Sequence, residues 1–128
     1  MAGLMQITER AVGDVTILAL EGRLVLEEGD TALRDYVNRI VEQGRVKIVL
    51  DMQNVTRLDS AGIGMLVSKF LTACRKGGRL TLLHLTIRGD HLMHVTKLHT
   101  VFEIFDSEDE AIRSFGLEPV VSRDVPRR

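Results

Sequence analysis

The side chains best placed for chemistry lie in one polar passage, which follows a buried strand and precedes a long apolar segment. Asp51 and Asn54 stand at its beginning, and Asp59 and Ser60 stand directly before the apolar segment. In open α/β sheets, ligand and partner contacts gather beyond the carboxyl ends of the strands, so this passage marks the expected functional edge. From spacing alone, Asp or Ser at this position is most often a helix N-cap.

The remaining reactive residue types give no catalytic, metal or cofactor site. His91 and His94 share one helix face, but no Cys partner and no H-E-x-x-H pattern accompany them, which favours solvated histidines. Cys74 falls on an apolar stripe, so we expect a small buried hydrophobe rather than a nucleophile. No His lies near Ser60 in a hydrolase motif, and two glycines one residue apart do not make a phosphate loop.

Strand and helix patterns alternate along the chain, which predicts an α/β fold in a single domain. We expect a mixed, mostly parallel sheet of about five strands with about four helices packed against it. Residues 1–117 form the predicted domain and residues 118–128 a flexible tail. The predicted strands are two within residues 5–20 around a Gly13-Asp14 turn, then 46–50, 80–85 and 101–105. Helices are predicted after an N-cap at Asp30, after Ser60, over 90–98 and after a capping box of Ser107 and Glu110, with loose segments at 21–29 and 51–59.

The bulk properties exclude several classes of function. The chain has 128 residues and a net charge of −1, which disfavours nucleic-acid binding. Cys74 is the only cysteine, so no intrachain disulfide can form. The amino terminus lacks the pattern of a signal peptide, and no apolar run approaches the roughly 20 residues of a membrane helix. We expect a cytoplasmic protein without direct membrane insertion.

The passage Leu58-Asp59-Ser60-Ala61-Gly62-Ile63-Gly64 resembles the signature of the STAS family, and more narrowly that of bacterial anti-sigma factor antagonists. The resemblance extends to residues 20–24, to Gly77-Gly78 before an apolar strand, and to residues 98–105. It covers about residues 5–115. Two positions depart from the pattern: Ala61 stands where a second Ser or Thr is frequent, and Val25 stands where antagonists usually carry Asp. Glu27 and Glu28 are the nearest carboxylates that could substitute for it.

The resemblance implies a non-catalytic regulator of transcription. Such antagonists bind an anti-sigma factor, often a GHKL-type serine kinase, and thereby release a sigma factor. The kinase phosphorylates the position of Ser60, and a PP2C-type phosphatase restores binding. Asp51, Asn54 and Asp59 match polar positions around that serine. The positions that match the helix surface seen by the partner are Gly62, Ile63, Gly64 and Met65.

Two other classes of function remain open at this point. The chain could be a non-catalytic scaffold subunit of a stressosome-like assembly or an accessory of a membrane transporter, and a large homo-oligomer would favour that role. A monomer or homodimer would favour the antagonist. An enzyme or nucleotide-binding protein would bind nucleotide by itself, and the lack of a phosphate loop argues against it.

Overall fold

The computed structural model describes residues 5–116, so the predicted tail 118–128 lies outside the described residues. Within these residues, five strands form one sheet in the order β1-β2-β3-β4-β5, in which only the β1–β2 pair is antiparallel. The predicted α/β class, with five strands and four helices, is therefore confirmed. The elements are β1 (Gln6–Val12), β2 (Val15–Leu24), α1 (Gly29–Glu42), β3 (Lys47–Leu58), α2 (Ser60–Arg75), β4 (Arg79–Leu83), α3 (Ile87–Val95), a 3₁₀ turn (Leu98–Thr100), β5 (Ile104–Phe105) and α4 (Glu108–Arg113).

The helices cover the two faces of the sheet unequally. On one face α1, α2 and α3 pack over Leu18 and Leu50, and Leu33 and Leu66 from the helices are fully buried there. On the other face the short helix α4 covers a smaller cluster around Val49. Since the main core lies under α1 and α2, the sheet holds the beginnings of both helices in fixed positions.

The predicted hairpin and the predicted cap of the last helix are both confirmed. Gly13 adopts φ 60° between β1 and β2, as a two-residue turn requires, and Val12 pairs with Val15. Ser107 is the N-cap of α4, where its hydroxyl accepts a hydrogen bond from the Glu110 N–H at 3.3 Å. The residue types of the turn and of the cap were therefore sufficient to predict the hairpin turn and the beginning of α4.

Strand β3 is much longer than predicted, and the expectation of a loose segment over 51–59 is wrong. It continues to Leu58 because β2 also continues, through the supposedly loose residues after 20, to Leu24. The two strands stay paired to that point across two register shifts. Strand β4 pairs with β3 only as far as Asp51, so the extension is exposed and its polar residues concealed the strand pattern.

Two helix predictions also need correction. Helix α1 begins at Gly29, and Asp30 is not the N-cap but a buried first-turn residue whose carboxylate accepts from the Glu28 and Thr31 N–H groups. Cys74 is exposed rather than buried. Apolar residues lie on more than one side of α2. The side that packs against the sheet is not the side that carries Cys74. The buried residues of α2 are Gly62, Leu66, Lys69 and Ala73.

Other boundaries differ by a few residues. Helix α3 begins at Ile87 with Thr86 as its N-cap, whereas the strand predicted over 101–105 is reduced to two residues. Within residues 5–116, no helix combines the length and apolar character needed to cross a membrane.

Candidate functional site

Asp59 joins the beginning of α2 to the loop between β2 and α1. Its backbone is extended, and its Oδ1 accepts a hydrogen bond from the Gly62 N–H at 2.9 Å as the N-cap of α2. Its Oδ2 accepts a second bond from the Leu26 N–H at 3.2 Å. The Gly62 N–H is the largest influence that lowers the pKa of Asp59, and the Leu26 N–H adds to it. The carboxylate is therefore ionised near neutral pH.

Ser60 is the first residue of α2 and is exposed. Asp59 already caps the helix, so the Ser60 hydroxyl is not needed for that purpose. Within residues 5–116, this hydroxyl makes no hydrogen bond to another side chain or to the backbone. It lies at the positive end of the helix dipole, where an added anion is tolerated.

Gly62 has a packing role that explains its residue type. A Cβ placed there would lie 2.1 Å from the carbonyl oxygen of Leu24, at the end of β2. Gly29 at the beginning of α1 would meet the Arg23 carbonyl oxygen at the same distance. The end of β2 is therefore held between the first turns of two helices, and only residues without a side chain allow that approach.

The other predicted helix residues differ in their exposure. Ile63 and Met65 are half-buried, and Met65 packs against the main core. Gly64 is exposed, and a Cβ built on it would have nothing within 4 Å. Gly62 is buried. Of the four, Gly64 is thus the residue that is fully open to a partner.

The solvent side of α2 continues the surface that begins at Ser60. Gly64, Ser68 and Leu71 follow at spacings of three or four residues, and all of them are exposed. Leu71 is 44% exposed, and Leu26 beside Asp59 is 61% exposed, so an exposed apolar side chain lies at each end of this surface. We call this set the Ser60 surface; it comprises Leu26, Asp59, Ser60, Gly64, Ser68 and Leu71.

Comparison with known proteins assigns this arrangement to a family. The family model described as the STAS domain matches residues 6–111, which is most of the chain. The chain belongs to the STAS domain family. An anti-sigma F factor antagonist of Paenibacillus polymyxa is 24% identical over 98 residues, which cover 77% of this chain and 84% of that protein.

Solved STAS structures share the fold at lower identity. The crystal structure of an anti-sigma factor antagonist from Mycobacterium paratuberculosis superposes with a TM-score of 0.77 at 17% identity, over 88% of this chain and 94% of that one. The antagonist SpoIIAA in its unphosphorylated form gives 0.71 at 18% identity, over 95% of this chain and 100% of that one. The phosphorylated form of SpoIIAA from Bacillus gives 0.66 at 20% identity, with coverages of 85% and 98%.

In this STAS domain, the polar residues predicted to surround Ser60 do not all lie near it. Asp51 is aligned with Ala19 of β2, whereas Leu58 is aligned with Leu24. At about 3.3 Å per residue of β2, that places Asp51 roughly 17 Å from the strand end. Asp51 Oδ1 lies 3.2 Å from His84 Nδ1 instead. Asn54 is exposed and aligned with Glu21, so it is nearer but still on the strand.

The loop at residues 25–28 borders the site, and sequence analysis considered Val25, Glu27 and Glu28 there but not Leu26. Val25 is half-buried, and its carbonyl oxygen accepts bonds from the Glu28 and Asp30 N–H groups. Arg23 donates two hydrogen bonds to the Glu28 carboxylate in a bidentate ion pair, from Nη2 to Oε2 at 2.7 Å and from Nε to Oε1 at 3.1 Å, whereas Glu27 is exposed. Leu26 was missed because it contributes its backbone N–H rather than its side chain. The only sign of it in the sequence was an apolar residue in a loop.

The histidines and the cysteine form no recognisable centre in the part of the chain that the structure describes. His94 stacks on His99 with ring centroids 4.1 Å apart, and its Nε2 lies 3.8 Å from an Asp90 oxygen. Within residues 5–116, no three His, Cys, Asp or Glu side chains are grouped so that they could hold a metal ion. The chemistry of the site therefore concentrates at Asp59 and Ser60.

Proposed function

We propose that this protein is a cytoplasmic anti-sigma factor antagonist whose binding is switched off by phosphorylation of Ser60. In its unmodified form it binds an anti-sigma factor of the GHKL serine-kinase type and so frees a sigma factor. The kinase modifies Ser60, and a PP2C-type phosphatase reverses the modification. The antagonist acts as a monomer or homodimer and performs no catalysis itself.

The observation that carries the proposal is the division of roles between Asp59 and Ser60. Asp59 supplies the cap of α2 through its bond to the Gly62 N–H, so the exposed Ser60 hydroxyl is free to be modified without loss of that bond. SpoIIAA, an antagonist that shares this fold, exists in an unphosphorylated and a phosphorylated form. Phosphorylation is therefore compatible with this fold.

The charge of a phosphate explains how the switch would work. Phosphorylation adds about −1.5 to −2 charge and three acceptor oxygens. The positive end of the α2 dipole accommodates an anion, so the domain stays folded. A partner packed closely over Ser60 would have to desolvate this dianion next to the ionised Asp59, which is strongly unfavourable.

The partner contacts follow from the Ser60 surface. Gly64 and Ser68 leave room for a helix or strand of the anti-sigma factor to approach the backbone of α2, and Leu26 and Leu71 supply exposed apolar contacts. Ile63 and Met65 contribute only their half-exposed atoms. Asp51 and Asn54 act at the periphery of this interface, since both lie earlier on β3 than Leu58, away from the strand end that leads into α2.

Affinity purification from the source cell tests the proposal, with four baits: wild type, Ser60→Ala, Ser60→Asp and Ser107→Asp. Ser107 is the N-cap of α4 on the other face of the sheet, so its variant adds the same charge at a helix start far from α2. We expect wild type, Ser60→Ala and Ser107→Asp to recover a GHKL-type kinase, and Ser60→Asp to lose it. Incubation of the recovered kinase with ATP should phosphorylate wild type but not Ser60→Ala.

Two results would contradict the switch. Equal recovery of the kinase by Ser60→Asp and wild type would show that Ser60 lies outside the interface. Recovery of the same transporter or large assembly by all four baits would support the scaffold role instead. In that case Ser60 would be only the first residue of a helix.

A further inference from the structure

Strand β3 has a free edge along the part that β4 does not cover. Strand β4 ends opposite Asp51, whereas β3 continues to Leu58 with only β2 beside it. The last pair between the two strands is Asp51 with Leu83, and within the described part of the chain residues 53–58 have no paired residue on the β4 side. Such an edge presents unpaired N–H and C=O groups that another strand can pair with, and it is irregular at two points where β3 has one residue more than β2, between residues 51 and 54 and between residues 55 and 57.

Helix α3 stands opposite this edge and turns it into a groove. The groove is about 230 Å³ in volume and runs between residues 52–58 and the first two turns of α3. Its walls are largely apolar and include Val55, Leu58, Leu85 and Leu92. A strand edge faced by a helix is the geometry by which several domain families add an extended peptide to a sheet.

Both charged residues that line the groove are arginines. Arg57 comes from the strand and Arg88 from the helix, and no carboxylate of residues 5–116 lines the groove. Within residues 5–116, neither guanidinium lies within 4.0 Å of an acidic side chain, whereas Arg23, the β2 neighbour of Arg57, is paired with Glu28. Ile87, next to Arg88 at the beginning of α3, is 93% exposed. An occupant of the groove would therefore meet two positive charges that no acidic side chain of residues 5–116 pairs with.

We propose that this groove binds an extended acidic peptide segment of a partner protein, which pairs with residues 52–58 as an additional strand. The free backbone groups of β3 supply the main-chain hydrogen bonds, alternate apolar side chains of the peptide enter the groove, and its Asp or Glu residues meet Arg57 and Arg88. A second copy of this chain fits less well, because the arginines of both copies would then share one groove. A compact amphipathic anion would leave the strand edge unpaired.

Selection from a random nine-residue peptide library displayed on phage tests this proposal, with the whole chain immobilised. We expect enrichment of peptides that alternate apolar residues and contain Asp or Glu. A synthetic peptide of the enriched sequence should bind in fluorescence anisotropy. The double variant Arg57→Glu/Arg88→Glu should weaken that binding at least tenfold. The matched control Arg39→Glu/Lys76→Glu, which changes two exposed cations on α1 and after α2, should leave it unchanged.

Two further measurements establish the mode of binding. The peptide should slow amide hydrogen exchange at residues 52–58. In a paired peptide, every second N–H points toward β3, so N-methylation of that set of amides should abolish binding, and N-methylation of the other set should not. The proposal is independent of the switch at Ser60, so Ser60→Asp should bind the peptide as wild type does. Loss of kinase recovery and loss of peptide binding are thus separable results.

The proposal fails if no acidic sequence is enriched, or if the enriched peptides bind the arginine double variant as tightly as wild type. It also fails if the peptide leaves amide exchange at residues 52–58 unchanged. Binding of octanoate in the groove with the same dependence on both arginines, in the absence of any enriched peptide, would identify a small amphipathic anion as the ligand instead.

Discussion

The carboxylate of Asp59 accepts a hydrogen bond from the backbone N–H of Leu26, a residue 33 positions earlier in the chain. The same carboxylate caps α2 through the Gly62 N–H. One side chain therefore fixes two parts of the Ser60 surface, the first turn of α2 and the loop before α1, relative to each other. A change at Asp59 should alter both the stability of the domain and the shape of this surface.

Replacement of Asp59 by Asn should separate its two hydrogen bonds. The amide oxygen of Asn can still accept from the Gly62 N–H, but its NH₂ group would then face the Leu26 N–H. We expect a loss of about 1 kcal/mol in the free energy of unfolding for Asp59→Asn and about 2 kcal/mol for Asp59→Ala, which loses both bonds. Urea unfolding at pH 7 measures both values. No loss for Asp59→Asn would show that the bond to Leu26 contributes nothing, and equal losses for the two variants would show the same for the bond to Gly62.

The loss caused by Asp59→Asn should depend on pH. The pKa of Asp59 is lower in the folded state, mainly because of the Gly62 N–H, so its contribution is complete above the ordinary value for Asp. It disappears as the pH falls through the lowered pKa. The difference in unfolding free energy between wild type and Asp59→Asn should therefore shrink from pH 6 toward pH 2. A constant difference over this range would contradict the ionised cap.

Gly62 and Gly64 provide a matched pair of substitutions on the same turn of α2. Gly62→Ala would bring a Cβ against the Leu24 carbonyl oxygen, and because that atom belongs to the backbone the helix start must move. We expect a loss of about 3 kcal/mol in the free energy of unfolding. Gly64→Ala meets no atom and improves helix propensity, so a gain of about 0.5–1 kcal/mol is expected. Thermal and urea unfolding of both variants measure this contrast, and similar effects at the two positions would contradict it.

Much of the fold could be predicted because local chemistry and burial agree in most elements. Gly13 and Ser107 mark a turn and a cap by residue type alone, and buried strands such as β4 read as apolar runs. The long β3 could not be predicted, since its second half is exposed and its partner is the equally unexpected end of β2. The length of β3 depends on pairing with a distant segment of the chain, and no local sequence pattern indicates that pairing.

The beginning of α2 was predictable from the sequence, whereas the contacts around it were not. The residue types around Asp59 and Ser60 identified the beginning of α2. The contact with Leu26 uses a backbone N–H, which every residue except proline has, so the sequence holds no sign of it. Asp51 was grouped with Ser60 because it matches a polar position around that serine in the family resemblance, whereas β3 places it beside His84.

A negative charge at Ser60 should leave the stability of the domain nearly unchanged. Ser60→Asp places a carboxylate at the first position of α2, where the helix dipole is favourable and the neighbouring Asp59 is unfavourable. We expect a change of less than about 0.5 kcal/mol in the free energy of unfolding and an unchanged circular dichroism spectrum. A loss of 2 kcal/mol or more would mean that altered folding, rather than a blocked interface, explains any loss of the partner.

Lys69 is a buried cation between α1 and α2, where its Nζ donates a hydrogen bond to Asn38 Oδ1 at 2.6 Å. Desolvation is the main cause that lowers its pKa, and the positive charges of Arg34 and Arg75 add to it. A buried ammonium without a carboxylate is unfavourable, and Asn38 is half-buried and can be hydrated by water. Lys69→Met should therefore raise the free energy of unfolding at pH 7 by about 1 kcal/mol.

The advantage of Lys69→Met should decrease at alkaline pH. Between the lowered folded pKa of Lys69 and its unfolded value of about 10.4, the unfolded chain binds more protons, so wild type gains stability as the pH rises. The variant has no such gain. Urea unfolding at pH 7 and pH 10 compares the two proteins, with Lys76→Met as the control because Lys76 is exposed. A net loss of stability for Lys69→Met at pH 7 would mean that the bond to Asn38 outweighs the desolvation of the ammonium group.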